Sequence, residues 1–131
     1  MANQVSGASR CFVTCRDARV VGYYTLSAAA LAVSAAPGRI RRNMPDPIPM
    51  ILLGRLAVDR GEQGRGLGSD LVRDAVQRAA VAAEIVAARG LIVQALDDAA
   101  RGFYLARGFE PSPGDPMLLM ASFADLRAAQ C

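Results

Sequence analysis

Hydrophobic and polar positions divide this chain into segments of different spacing, and each segment predicts an element. Two apolar runs near the start, Cys11 to Cys15 and Val20 to Val33, are separated by the charged turn Arg16 to Arg19, which is typical of two hairpin strands. The next segment, Ser34 to Pro49, contains four prolines and is expected to be a loop with at most one short helical turn. Met50 to Val58 is an apolar run rich in branched residues, which predicts a buried strand.

In the second half, helical spacing gives way to strand spacing. Apolar residues three and four positions apart run from Leu67 to Gly90, which predicts a long helix that Gly90 ends. A short strand is expected over Leu91 to Leu96, and a strand–helix–strand unit of this size forms a parallel pair through a right-handed crossover. The remaining predicted elements are a helix over Ala99 to Arg107, capped by Asp98, a strand over Met117 to Ala121, and a short terminal helix over Ala124 to Ala129.

Three alternating glycines, Gly64, Gly66 and Gly68, lie between the third strand and the long helix. The first turn of a helix has unpaired N–H groups and the positive end of the helix dipole, which suit a phosphate. Glycines let a phosphate approach the backbone, and Arg65 adds positive charge beside it. The order of strand, glycine loop and helix therefore predicts a phosphate-binding site.

Known phosphate loops differ in their spacing. The nucleoside triphosphate loop requires a lysine, and all 15 basic residues of this chain are arginine. The dinucleotide fingerprint has the spacing G-x-G-x-x-G, whereas these glycines alternate. The stretch from Gln63 to Gly68, QGRGLG, instead resembles the Q/R-x-x-G-x-G/A coenzyme A signature of the GNAT acetyltransferase family. A glycine turn that only joins strand to helix is the less favoured alternative.

A second stretch resembles the same family, because Ala100, Phe103, Tyr104, Gly108 and Phe109 match its A-x-x-F-Y-x-x-x-G-F signature. The resemblance implies a mixed α/β (α+β) fold with a mostly antiparallel sheet, a central parallel strand pair and flanking helices. It implies a single acetyltransferase domain over residues 1–131. Family members usually begin with a further strand and one or two helices, so the resemblance also implies that this N-terminal unit is missing.

The resemblance further implies a reaction and its residues. Acetyl-CoA is the expected acetyl donor, and no metal is expected. A backbone N–H of Val58 or a neighbour would polarise the thioester carbonyl, and Tyr104 would be the general acid for the departing thiolate. The expected coenzyme-binding residues are Leu56, Ala57, Val58, Gln63, Gly64, Arg65, Gly66, Leu67, Gly68 and Ser69.

Several residue types limit the chemistry. The chain has no histidine, so imidazole cannot be the base, and three cysteines without histidine cannot complete a four-ligand Cys/His zinc site. An α-amine, with a pKa of about 8, would need less deprotonation than a lysine amine at about 10.4. Tyr23 and Tyr24 point to opposite faces of their strand, so at most one faces a cleft, and packing is favoured for both.

Within the family, the chain most resembles the toxins of type II toxin–antitoxin operons, which acetylate the amino group of aminoacyl-tRNA. The segments that carry this likeness are Arg19 to Leu26, Arg39 to Pro49, Leu53 to Asp59 and Pro116 to Met120. The implied partners are aminoacyl-tRNA, a DNA-binding antitoxin and a second copy in a homodimer. The candidate tRNA contacts are Arg39, Arg41, Arg42 and Arg55, and a solvated loop is an equally favoured interpretation of the first three.

Two other functions stay open at this point. The acceptor could be the amine of a small molecule or a protein, or the chain could be a coenzyme-binding or antitoxin-bound module without turnover. A hydrophobic content of 53% argues against disorder, and 5% aromatic residues argue against a stacking platform for single-stranded nucleic acid. Met1 to Ser9 is polar and no transmembrane segment is recognised, so we expect a cytoplasmic protein.

Overall fold

The computed structural model describes residues 9–59, 61, 64 and 66–130. They form a six-stranded sheet with the strand order β1-β2-β3-β4-β6-β5. The strands are β1 (Ser9–Arg16), β2 (Arg19–Leu31), β3 (Ile48–Val58), β4 (Gly90–Gln94), β5 (Glu110–Ser112) and β6 (Asp115–Ser122). The helices are α1 (Gly38–Arg41), α2 (Leu67–Val86), α3 (Asp98–Leu105) and α4 (Phe123–Gln130), and a 3₁₀ turn spans Val33–Ala35.

The sheet is mixed, as the sequence predicts. β3 and β4 pair in parallel, and every other neighbouring pair is antiparallel. The crossover between the parallel strands contains α2. β5 was not predicted from the sequence, because its three residues include Pro111 and show no periodic pattern.

The two faces of the sheet carry separate apolar clusters. Met50 packs with Ile40 of α1, whereas its neighbour Ile51 packs with residues of α2 and α4. Successive strand residues point to opposite faces, so α1 lies on one face and the long helix on the other. We call these the α1 face and the helix face. The helix face also holds Tyr104 of α3.

A bulge in β3 separates it from β4. Tyr24 pairs with Leu56 and Leu26 pairs with Leu53, so β3 contains one extra residue at this point. The parallel ladder to β4 ends at Leu53, whose partner is Val93. The ladder continues no further among the described residues, and a cleft separates the two strands beyond it.

Gly54 lies in this bulge because a side chain would not fit. A Cβ at Gly54 would lie 2.6 Å from Oγ1 of Thr25. That oxygen accepts a hydrogen bond of 3.0 Å from the Arg55 N–H, so Thr25 holds the bulge in place.

Two helix boundaries differ from the sequence-based expectation. α2 ends at Val86, where Ala87 adopts a left-handed conformation with φ 59°, and Gly90 instead begins β4. A Cβ at Gly90 would lie 2.1 Å from the Ala121 carbonyl oxygen, so strand packing accounts for this glycine. The N-cap of α3 is Asp97, not Asp98, because its carboxylate accepts a hydrogen bond from the Ala100 N–H at 2.8 Å.

We expect Gly90→Ala to lower the free energy of unfolding by about 3 kcal/mol or more, because the clash is with backbone and cannot be relieved by a rotamer change. Gly102→Ala is the matched control, since Gly102 lies inside α3 and a Cβ there meets nothing within 4 Å. This control should raise stability by about 0.5–1 kcal/mol. Urea unfolding of both variants measures the difference, and equal stabilities would contradict the packing role of Gly90.

Candidate active site

The cleft between β3 and β4 has a volume of about 380 Å³. Leu53 to Ala57 line one wall, and Val93 and Gln94 line the other. Tyr104 reaches the cleft from the helix face. Tyr23 also lines it and comes from the α1 face, because its neighbour Tyr24 belongs to the helix-face core. The cleft is therefore bordered by tyrosines from both faces of the sheet.

The Tyr104 side chain is held rigidly. Its ring makes edge-to-face contacts with Phe103 and Phe109, with centroid distances of 5.2 and 5.4 Å. Only 6% of the residue is exposed. Burial raises the pKa of the Tyr104 phenol to about 12, and the nearby Arg107 charge opposes part of this rise. The hydroxyl is therefore neutral, and able to donate a proton, at physiological pH.

The glycine loop forms a second pocket of about 330 Å³ next to the end of β3. Gly64 and Gly66 have φ values of 84° and 82°, a left-handed conformation that favours glycine, and Gly66 is the N-cap of α2. The pocket brings together most of the predicted coenzyme-binding residues. Its lining consists of Val58, Gly64, Gly66, Leu67, Gly68, Ser69, Phe103 and Arg107.

Two predicted coenzyme-binding residues, Gln63 and Arg65, lie outside the described residues. Leu56 and Ala57 line the cleft, so β3 connects the cleft to the loop pocket through consecutive residues. Within the described part of the chain, no group of three or more His, Cys, Asp or Glu residues could hold a metal ion. No helix there is long and apolar enough to cross a membrane.

The predicted tRNA contacts have different surroundings. Arg39 forms ion pairs with Glu110 at 3.2 Å and with Asp125 at 3.0 Å, which tie α1 to β5 and α4. Two carboxylates therefore compete with any phosphate for the Arg39 guanidinium. Arg41 and Arg42 are exposed beside it, and Arg55 is exposed at the bulge and lines the cleft.

The site can be compared with known proteins. A sequence profile of the acetyltransferase (GNAT) domain matches residues 7–111 of this chain. The chain belongs to the GNAT acetyltransferase family. The expected family, the expected mixed fold and the expected enzyme class, an acetyl-CoA-dependent N-acetyltransferase, are thereby confirmed.

Relatives of this GNAT chain include proteins with stated activities and complexes. A tRNA-acetylating toxin of Mycobacterium tuberculosis is 59% identical over 128 residues, which cover 98% of this chain and 77% of that protein. AtaT in complex with acetyl-methionyl-tRNAfMet has a TM-score of 0.87 at 32% identity, covering 96% of this chain and 78% of that one. A mutant AtaT toxin bound to acetyl-CoA and the C-terminus of the antitoxin AtaR has a TM-score of 0.75 at 31% identity, with coverages of 92% and 70%.

The described residues of this GNAT chain fit acetyl-CoA. The loop pocket contains the backbone N–H groups of the first turn of α2. Gly64 and Gly66 have no side chain that would hinder a phosphate from reaching these N–H groups. A Cβ at Gly68 would lie 3.5 Å from the Phe103 ring, so the loop is also close to α3. The neighbouring cleft ends at Tyr104, where a thioester could lie beside the phenol.

Sequence reasoning missed two residues of this GNAT site. Tyr23 was expected to serve packing, but it lines the cleft from the α1 face. The sequence correctly predicted that Tyr23 and Tyr24 lie on opposite faces of the sheet. It did not show to which face the cleft opens. Arg107 occupies a variable position of the second signature, and nothing in its local pattern indicates that it lies in the loop pocket.

Proposed function

We propose that this chain transfers the acetyl group of acetyl-CoA to the α-amino group of aminoacyl-tRNA and so blocks translation as a toxin. The observation that carries the proposal is the cleft at the β3 bulge, which joins the phosphate-binding loop on the helix face to an arginine-bearing opening on the α1 face. The 59% identity to a tRNA-acetylating toxin supports the same acceptor.

The protein groups at the cleft have distinct tasks in this reaction. The loop pocket binds the coenzyme phosphates, which places the thioester at the end of β3. There, a backbone N–H of Val58 or a neighbour donates to the carbonyl oxygen, on which negative charge develops as the amine attacks. Tyr104 donates its proton to the sulfur as the C–S bond breaks.

The raised pKa of Tyr104 sets a limit on proton transfer. A phenol at about 12 is a weaker acid than a thiol at about 8.5, so complete transfer in the resting site would be uphill by roughly 5 kcal/mol. Tyr104 therefore acts by a hydrogen bond that strengthens as charge builds on the sulfur, with proton transfer late in the step. Its expected contribution is about 10²–10⁴-fold.

The acceptor amine approaches from the α1 face, because Tyr23 and Arg55 border the cleft on that side and α2 and α3 cover the other face. An α-amine with a pKa of about 8 is partly neutral at cellular pH, so water can take its proton without a dedicated base. This agrees with the absence of histidine from the chain.

The arginines of the α1 face supply a test of the tRNA acceptor. Changing Arg41, Arg42 and Arg55 together to Gln should flatten the slope of log tRNA affinity against log salt by roughly two to three units, since each phosphate contact releases somewhat less than one counterion. Filter binding of charged tRNA at several salt concentrations measures the slope.

Arg39→Gln is the matched control for these variants. It removes one positive charge from the same surface, but that charge is paired with Glu110 and Asp125. We expect the salt slope to stay unchanged and the stability to fall by about 1 kcal/mol or less. A triple variant with the parental slope would favour solvated arginines and a small-molecule amine as the acceptor.

We further propose the partners that the relatives show. AtaT is bound to the antitoxin AtaR in one complex, so an antitoxin of similar kind is the expected inhibitor of this chain. A homodimer stays a prediction that sedimentation would test. The reaction is placed in the cytoplasm, since charged tRNA is used there.

A further inference from the structure

Arg107 lies in the glycine-loop pocket although it belongs to the turn that follows α3. Its guanidinium stacks on the Phe103 ring, with 3.8 Å between the guanidinium carbon and the ring centroid. One guanidinium nitrogen donates to the Phe103 carbonyl oxygen at 2.9 Å, and another donates to Oγ of Ser69. Three contacts therefore fix the position of this cation.

The position of Ser69 shows where that charge points. Gly66 is the N-cap of α2, so Ser69 is the third residue of its first turn. The backbone N–H groups of this turn lack partners within the helix. A guanidinium bound to Ser69 therefore lies beside them, and two sources of positive potential meet in one pocket.

No carboxylate within the part of the chain that the structure describes neutralises this charge. Among the residues that the structure describes, Arg107 forms no ion pair, and the pocket lining contains no Asp or Glu. Asp70, the acidic residue in the first turn of α2, pairs with Arg73 at 3.2 Å instead. A guanidinium has five N–H donors, so three remain after the contacts to Phe103 and Ser69.

We propose that Arg107 binds a phosphate of acetyl-CoA, with Phe103 and Ser69 holding its guanidinium over the first turn of α2. The inference rests on the coenzyme role of the loop in the proposed function. A guanidinium that is already stacked and hydrogen-bonded loses little conformational entropy when it binds a phosphate, which favours tight and specific binding. Arg107 thus contributes the charged part of a site whose backbone part is the glycine loop.

Direct binding measurements test this proposal without any acceptor. Calorimetric titration of Arg107→Gln with acetyl-CoA should show a dissociation constant about ten- to a hundredfold above that of the parent, the usual loss for a charge-assisted hydrogen bond. Arg107→Lys should recover part of the affinity, because it keeps the charge but not the fork. Acetyl-pantetheine, which lacks the nucleotide, should bind parent and variant equally in a competition assay.

Arg101→Gln is the matched control. Arg101 lies in α3 itself, and its Nε donates to the Pro116 carbonyl oxygen at 2.8 Å, outside the loop pocket. The substitution changes the net charge by the same amount, and acetyl-CoA affinity should stay within about twofold of the parent. Acetyl-dephospho-CoA, which lacks only the 3′-phosphate, shows which phosphate Arg107 contacts. If Arg107→Gln weakens the binding of this analogue as much as that of acetyl-CoA, the contact is with the diphosphate. If it does not weaken the binding of the analogue, the contact is with the 3′-phosphate.

Two outcomes would overturn the inference. Acetyl-CoA binding by Arg107→Gln within about twofold of the parent would mean that no phosphate meets this guanidinium. Equal weakening of acetyl-CoA and acetyl-pantetheine, together with a lowered melting temperature, would assign Arg107 to the packing of α3 on α2. Either result leaves the proposed function standing, which fails instead if the parent binds acetyl-CoA but does not acetylate charged tRNA.

Discussion

Tyr104→Phe should lower the turnover number by about 10²–10⁴-fold while the dissociation constant of acetyl-CoA stays the same. The substitution removes only the hydroxyl, and the edge-to-face contacts with Phe103 and Phe109 remain possible for a phenyl ring. The departing thiolate would then lack its proton donor. Single-turnover kinetics with saturating acetyl-CoA would separate this loss from any change in binding.

Tyr24→Phe is the matched control, because it removes a hydroxyl from another buried tyrosine. The Tyr24 hydroxyl donates to Asp74 of α2, on the helix face and outside the cleft lining. We expect a loss of about 1 kcal/mol of stability with nearly parental turnover. If both variants lost turnover equally, Tyr104 would have no special role in the chemistry.

The pH dependence gives Tyr104 a second signature. Because its pKa is raised to about 12, the phenol keeps its proton until the pH approaches that value. Initial rates of turnover should therefore rise as the acceptor amine loses its proton near pH about 8, and then stay level to about pH 9, above which the aminoacyl ester of the substrate hydrolyses. A falling limb near pH about 9 that Tyr104→Phe abolishes would contradict a neutral phenol in the working site.

The second large effect is expected at Gly66. Gly66→Asp should weaken acetyl-CoA binding by about a thousandfold, because a carboxylate about 4 Å from a phosphate charge costs about 4 kcal/mol at an effective dielectric constant of 20. Gly66→Asn is the matched control. Both side chains tolerate a positive φ to a similar degree, so the strain at φ 82° is shared and only the charge differs.

Calorimetry on both Gly66 variants, with melting temperatures as a check on folding, would measure this difference. The Asn variant should lose no more than about tenfold in affinity, the part due to strain and bulk. Equal affinities for the Asp and Asn variants would show that no phosphate lies at the N-terminus of α2.

Local patterns predicted most elements of this fold, because each of these elements follows from nearby residues. The spacing of apolar residues predicted the start of α2 at Leu67, and the apolar run up to Val58 predicted the end of β3. The strand–helix–strand order predicted the parallel pair. Gly90 was misassigned to a helix end because its real neighbour, Ala121, is distant in sequence.

The cleft could not be predicted in the same way. It depends on the extra residue at Gly54 and Arg55, and alternation along one strand does not show which register the partner strand adopts. The residues of the loop pocket were predicted better, since the glycines and Ser69 are consecutive along the chain. Arg107 was missed because it is 38 residues from Ser69 in the sequence, and only the packing of α3 on α2 brings the two side chains into contact.

The arginines of the α1 face show a further limit. The sequence does not distinguish Arg39, Arg41 and Arg42, and all three were predicted to contact phosphates. Tertiary structure separates them, because the carboxylates that pair with Arg39 lie 71 and 86 residues away. A charge cluster therefore predicts a positive surface only after its long-range ion pairs are known.

Acetyl transfer to charged tRNA is the decisive measurement for the proposed function. The protein is incubated with labelled acetyl-CoA and total aminoacyl-tRNA, with deacylated tRNA, free amino acids and small amines in parallel, and the label is located after nuclease digestion. We expect label on the α-amino group of the tRNA-bound amino acid and none in the parallel reactions. Equal labelling of free amines, or acetyl-CoA binding with no transfer to charged tRNA, would contradict it.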